Sequence, residues 1–250
     1  MNRYALISDI HANLPALEAV FARIEELGIT EIGCLGDVVG YGPDPEACID
    51  LVMERCRFTL KGNHDWGLEG RLHEFNTLAR EVLEWTRKRL KPGLLQSPKK
   101  QRWRFLMELP ERHEEWGALF VHGSPRDPIK EYVMRSDGFL NPEKLLDLFS
   151  RIEGRCFLGH THWPGFTGED FRFHQAVNGN LEMRLPEGRC LVNAGSVGQP
   201  RDGDPRACFL VVEGNRLTWE RVPYDVAETQ RRIMEAGLNP YLAERLRKGR

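Results

Sequence analysis

The chain contains no C-x-x-C pair, almost no net charge, and no apolar run near the ~20 residues that a bilayer span requires. Each absence removes a class. The six cysteines, Cys34, Cys48, Cys56, Cys156, Cys190 and Cys208, are scattered, and several sit in apolar runs that suit buried, reduced thiols. A net charge of -2 gives no general argument for nucleic acid or an anionic membrane as partner, and no nucleic-acid-binding signature is present. The N-terminus "MNRYALISDI" enters a strand-like segment without a basic, then apolar, leader. The expectation is a soluble cytoplasmic protein.

At 250 residues the chain can bury roughly 70–75% of its unfolded surface, so it needs neither disulfide nor metal simply to fold. The first half alternates strands and helices. Tyr4–Ser8, Ile32–Leu35 and Phe58–Leu60 read as short buried strands. Between them lie a helix carrying Leu14, Leu17, Val20, Phe21, Ile24 and Leu27, capped by Gly28, and a helix begun by Asp44-Pro45. Residues 68–115 are rich in Arg, Glu, Lys and Trp, and we read them as a helical insertion forming a flank or partial lid. Ala118–Val121 and Cys156–Leu158 resume the strands, with a helix from Asn141-Pro142 between them. After Phe171 the pattern is β-rich: Phe171–Gln175, Cys190–Asn193, Ala207–Val212 and Leu217–Val222, then a helical tail broken at Gly237–Pro240. No repeat or low-complexity linker divides the chain, so one domain over 1–250 is the expectation.

Polar clusters follow one strand after another: Asp9 and His11, then Asp37, then Asn63-His64-Asp65, then His122, then His160 and His162. Side chains beyond the carboxyl ends of strands in an α/β sheet converge on a shared crevice. Five of the eight histidines occupy such positions; His73, His113 and His174 do not and read as surface or structural residues. Two carboxylates, an amide and several imidazoles suit divalent first-row transition metals better than Ca or Mg. Seven candidate ligands are too many for one tetrahedral ion and about right for two ions sharing a carboxylate.

These residues carry a resemblance. "DIH" (Asp9–His11), "GD" (Gly36-Asp37), "GNHD" (Gly62–Asp65), "HG" (His122-Gly123) and "GHTH" (Gly159–His162) occur in the order of the calcineurin-like metallophosphoesterase superfamily. "NAGSVGQPRDGDPRA" (Asn193–Ala207) is similar to a bacterial and archaeal phosphodiesterase-like subgroup, with Ala194 where its N-P-G-S pattern has proline. The resemblance implies a four-layer α/β/β/α sandwich of two mixed β-sheets flanked by helices. It implies two divalent transition-metal ions (Mn, Fe, Ni, Co or Zn), one on Asp9, His11 and His162, the other on Asn63, His122 and His160, with Asp37 bridging. His64 matches the catalytic histidine that assists the leaving oxygen after attack by a metal-activated hydroxide on a phosphate ester.

Other assignments stay open. Asp65 supports a neighbour or simply serves the turn. Asn13 is either a phosphate contact or the cap of the first helix. Tyr41 and Trp163 suit a leaving-group pocket or core packing, and Arg126 and Arg201 suit extra phosphates or solvated loops. The leading reading is a phosphodiesterase, with a nucleotide-derived ester among its candidate substrates. Gly40 and Tyr41 stand where Ser/Thr protein phosphatases carry Asp and Arg in G-D-x-x-D-R-G, which speaks against that relative. A phosphomonoesterase or dinucleoside polyphosphate hydrolase remains within the enzyme class. A non-catalytic interaction scaffold, like the retromer subunit resembling these enzymes, is the reading from another class. Oligomeric state is not legible.

Overall fold

The computed structural model describes residues 3–93, 97–176, 181–185 and 188–250. In chain order, β1 (Arg3–Ile7), α1 (Leu14–Glu26), β2 (Glu31–Cys34), α2 (Pro45–Arg55) and β3 (Phe58–Thr59) come first. They lead into α3 (Asn63–Gly67), a 3-10 turn, α4 (Thr77–Leu90) and α5 (Ser97–Glu108). Next are β4 (Arg112–Glu115), β5 (Ala118–Val121), α6 (Asp137–Leu140), α7 (Pro142–Ser150), β6 (Arg155–Leu158), β7 (Gly165–Gly168) and β8 (Phe173–Gln175). The chain finishes with β9 (Leu181–Arg184), β10 (Cys190–Asn193), β11 (Ala207–Glu213), β12 (Arg216–Val222), α8 (Val226–Glu235) and α9 (Pro240–Lys248).

Two mixed six-stranded sheets result, in the orders β3-β2-β1-β11-β12-β9 and β4-β5-β6-β10-β7-β8. Strand periodicity makes the layers. On β1, Tyr4 and Leu6 point into the core between the sheets, while Ala5 and Ile7 face α1 and α2. On β6, Phe157 points inward and Cys156 and Leu158 pack under α7. The expected α/β/β/α sandwich is therefore present. Trp219 of β12 is fully buried in the central layer and its Nε1 donates to Asn193 O of β10 at 2.8 Å, tying one sheet to the other.

The insertion is helical only to Glu108. Arg112–Glu115, which its charged composition assigned to helix, is an edge strand of the second sheet, paired antiparallel with β5. The deciding residues are in the turn: Trp116 (φ 53°) and Gly117 (φ 72°) both adopt the left-handed conformation of a two-residue hairpin. Two further strands, β7 and β9, escaped the sequence pattern, because β7 is a glycine-bounded four-residue segment and β9 is short and half polar.

Candidate metal centre

The first sheet delivers Asp9 and His11 after β1, Asp37 after β2 and Asn63 after β3; the second delivers His122 after β5 and His160 and His162 after β6. Asp9, His11 and His162 come together as one buried cluster, with one donor atom from each within 4.8 Å of the others. Asp37, His122 and His160 form a second, and His11, Asp37 and His64 a third that joins them. Asp37 Oδ2 lies 3.7 Å from His11 Nε2 and 3.4 Å from His122 Nε2, between the outer clusters. Asn63 Oδ1 sits 3.1 Å from His122 Nε2.

The backbone is bent to achieve this. Asp9, His11, Asp37, His160 and His162 all have φ between 50 and 66°, a region costing non-glycine residues about 1–3 kcal/mol each. What over-determines it is hydrogen bonding between loops: Asp9 N donates to Gly36 O at 3.0 Å, His11 N to Asp37 O at 2.9 Å and Ala12 N to Val38 O at 2.9 Å. Asp65 holds the same region from the other side. Its carboxylate accepts from the amides of Asp37 (2.8 Å), Val38 (3.1 Å), Val39 (3.3 Å) and Gly62 (3.0 Å). Burial and the nearby Asp37 carboxylate push the Asp65 pKa up to about 7, against the pull of those amides. A Cβ on Gly62 would collide with Asp37, so only glycine allows this approach.

Ring orientation is set by backbone carbonyls. Nδ1 of His11, His122 and His162 faces Val39 O (3.2 Å), Leu35 O (2.9 Å) and Gln199 O (2.5 Å) respectively. With Nδ1 turned to a carbonyl, Nε2 is the nitrogen that each ring points toward the carboxylates and Asn63. His160 is reversed: its Nε2 faces Lys130 O at 3.0 Å, which leaves Nδ1 as the donor. His11 Nε2 and His162 Nε2 then confront each other at 3.2 Å beside Asp9 Oδ1, which is buried without a hydrogen-bond partner. Ring nitrogens converging on buried carboxylates, one of whose oxygens has no hydrogen-bond partner, are what a divalent cation satisfies, so these residues fit the metals the motifs imply.

Charge tells the same story. Burial alone would raise Asp9 and Asp37, but the His162 imidazole holds Asp9 below the usual carboxylate range, and His122 and His64 do the same for Asp37. Burial depresses His64 to about 4 and His160 to about 3, and lowers His11 and His162. His122 alone rises, to about 9, because Asp37 and Asp9 outweigh its burial. Two buried carboxylates demand positive charge at this point.

His64 lines a cleft of about 190 Å³ together with Tyr41, Asn63, Trp66, Phe75 and Tyr132. Tyr132, unanticipated from sequence, stacks on His160 with centroids 3.6 Å apart. Position 40 is closely packed too: a Cβ there would land on His64 Nδ1, which is buried and unpartnered. No carboxylate therefore supports this histidine from the place a protein phosphatase would use.

The other candidate residues divide between the site and its surroundings. Asn13 is buried and used up: Oδ1 accepts from Ala16 N and Thr229 Oγ1, and Nδ2 donates to Gly198 O and Tyr224 OH. It caps α1 and has nothing left for phosphate. Trp163 lies outside the cleft lining, its ring covered by Arg135 at 4.1 Å. Arg126 is engaged with Glu131 and Asp147 on the surface. Tyr41 and Arg201 do lie at the site: Tyr41 is 4.5 Å from His64 and 4.8 Å from His11, ring to ring, with Arg201 beside it. Ala194, in proline's usual place, donates its amide to Leu158 O at 2.9 Å, a bond proline lacks.

Residues 3–216 match the calcineurin-like phosphoesterase superfamily domain, and the chain belongs to that family. It is thereby a phosphoester hydrolase by class, of a metal-dependent family, with buried His/Asp groups able to hold metal. Among relatives, an uncharacterized protein of Methanocaldococcus jannaschii is 36% identical over 263 residues, covering 98% of both chains. A metallophosphoesterase from Sphaerobacter thermophilus superposes with TM-score 0.85 at 38% identity, covering 100% of both chains. A hypothetical protein from Pyrococcus horikoshii, 19% identical, shares the fold at TM-score 0.77 over 100% of this chain and 99% of its own. Among the described residues no helix is long and apolar enough to cross a membrane.

Proposed function

We propose that the chain acts as one domain, a dinuclear metal-dependent phosphodiesterase. Asp9, His11 and His162 would hold one ion, Asn63, His122 and His160 the other, and Asp37 both. Two such ions, when bound, supply a nucleophile from water at neutral pH and offset charge on the phosphoryl oxygens. The chain's own residues do the rest. His64 donates its backbone amide to Asp37 Oδ1 at 2.7 Å, so the histidine and the shared carboxylate hold one relative position. With Nδ1 buried against Gly40, Nε2 is the nitrogen left for the substrate. Burial keeps the ring uncharged at neutral pH, so its contribution begins as an Nε2–H hydrogen bond to the leaving oxygen; an arriving anion favours its protonated form.

The observation that carries the diester reading is the cleft beside His64 and Asn63, where the rings of Tyr41, Trp66, Phe75 and Tyr132 stand among Glu74, Asn76 and Lys130 and offer an organic leaving group both stacking and hydrogen-bonding partners. The test compares bis-p-nitrophenyl phosphate with p-nitrophenyl phosphate under defined Mn, Fe, Co, Ni and Zn loading. A higher kcat/KM for the diester supports the reading. A preference for the monoester overturns it, and no turnover of either with metals bound would favour a scaffold. The six unpaired thiols, five of them buried, suit a reducing compartment, and we place the protein in the cytoplasm on that ground.

A further inference from the structure

Two guanidinium groups flank Tyr41, which borders the metal centre, and among the described residues no carboxylate side chain pairs with either. Arg201 lies on the loop after β10, and its Cζ is 6.0 Å from the centroid of Tyr41. Arg245 comes from α9, far away in sequence, and its Cζ is 5.7 Å from the same ring. Other arginines around them are spent on acids: Arg221 on Asp202, Arg206 on Asp204, Arg232 on Glu228 and Asp44. Arg201 instead uses one Nη on Gln199 Oε1 at 2.9 Å, and its Nε is buried with no partner. Arg245 donates Nε to Arg250 O at 2.8 Å.

Like charges do not gather by default; each raises the cost of the other. Arg245 is lowered from its ordinary pKa, first by burial and then by Arg201. The arrangement is built rather than incidental. Gly203 N donates to Gly249 O at 3.0 Å, fastening the end of α9 to the Arg201 loop. Leu242 and Leu246 of α9 are buried in the cluster that includes Tyr41 at its edge.

We propose that Arg201 and Arg245, arranged around Tyr41, form a subsite for a second phosphate of the substrate. The preferred substrate is then an ester whose scissile phosphate is linked to, or neighbours, another phosphate, such as a nucleoside polyphosphate. Guanidinium forks match phosphate oxygens, and a second anion would give the unpartnered Nε of Arg201 an acceptor. The proposal rests on the hydrolytic reading above for where the first phosphate lies.

The test is calorimetric binding to the Mn²⁺-loaded protein at low temperature, comparing AMP with α,β-methylene-ADP. The diphosphate should bind roughly tenfold or more tightly than AMP, the worth of one charge-assisted pair. That gap should shrink toward unity in Arg245→Gln and, separately, in Arg201→Gln, each checked for native melting. Equal affinities in the unsubstituted protein, which needs no variant, would overturn the subsite, as would a gap that survives both substitutions. Hydrolysis of bis-p-nitrophenyl phosphate is measured in parallel. A gap without hydrolysis removes the catalytic reading and keeps the subsite; hydrolysis without a gap does the reverse.

Discussion

The two outer donor clusters look equivalent in sequence and differ in space. Asp9, His11 and His162 are each at most 2% exposed, bring a carboxylate of their own, and present Nε2 from both rings. The cluster of His122 and His160 has the neutral Asn63 in place of a carboxylate, uses Nδ1 of His160, and borders the open cleft. A divalent ion in the first meets more negative charge and less water than one in the second. On the proposed reading, the first cluster would keep an ion and the second would exchange one beside the cleft.

That asymmetry can be broken at several points. Removing the residue proposed to serve both ions, Asp37→Asn, should have the largest effect. We expect turnover to fall by on the order of 10³ or more, with both ions weakened in metal analysis. Two ions retained at normal affinity would rule out sharing. His64→Ala should cost roughly 10²–10³ in kcat with metal content intact, and loss of metal would show that the ring serves as a ligand instead.

Asn63→Ala probes the weaker half alone. Activity should drop about 10- to 100-fold at limiting metal and recover with excess, while one ion per chain survives dialysis. Simultaneous loss of both ions would erase the distinction between the clusters. Asp65→Asn should act mainly on stability. Four backbone amides are served by two carboxyl oxygens, of which Asn keeps one, costing about 1–3 kcal/mol and lowering Tm by several degrees. An unchanged Tm would mean those amides find other partners.

Much of this was legible in the chain because strand ends carry both signals at once. The apolar run of β1 announces a buried strand, and "SDIH" announces chemistry at its carboxyl end. Burial alternation then separates the layers without further information. The left-handed backbone at Asp9, His11, Asp37, His160 and His162 was not legible, since no residue there is glycine and the loops impose it on one another. Arg245 was invisible for a related reason. Nothing in a tail helix says that it folds back over the loop carrying Arg201. Arg112–Glu115 misled because an exposed edge strand needs little apolar content.

The donors are divided between the two sheets, four on one and three on the other. An ion bound there is a rivet through the laminate, reached only when both plates are stacked in register. Stripping it should leave each plate intact and let them shear. Hydrogen exchange on the demetallated protein would then quicken at the loops after β1, β2, β5 and β6 before it quickens within the strands. Uniform acceleration throughout would mean that the plates need no fastening.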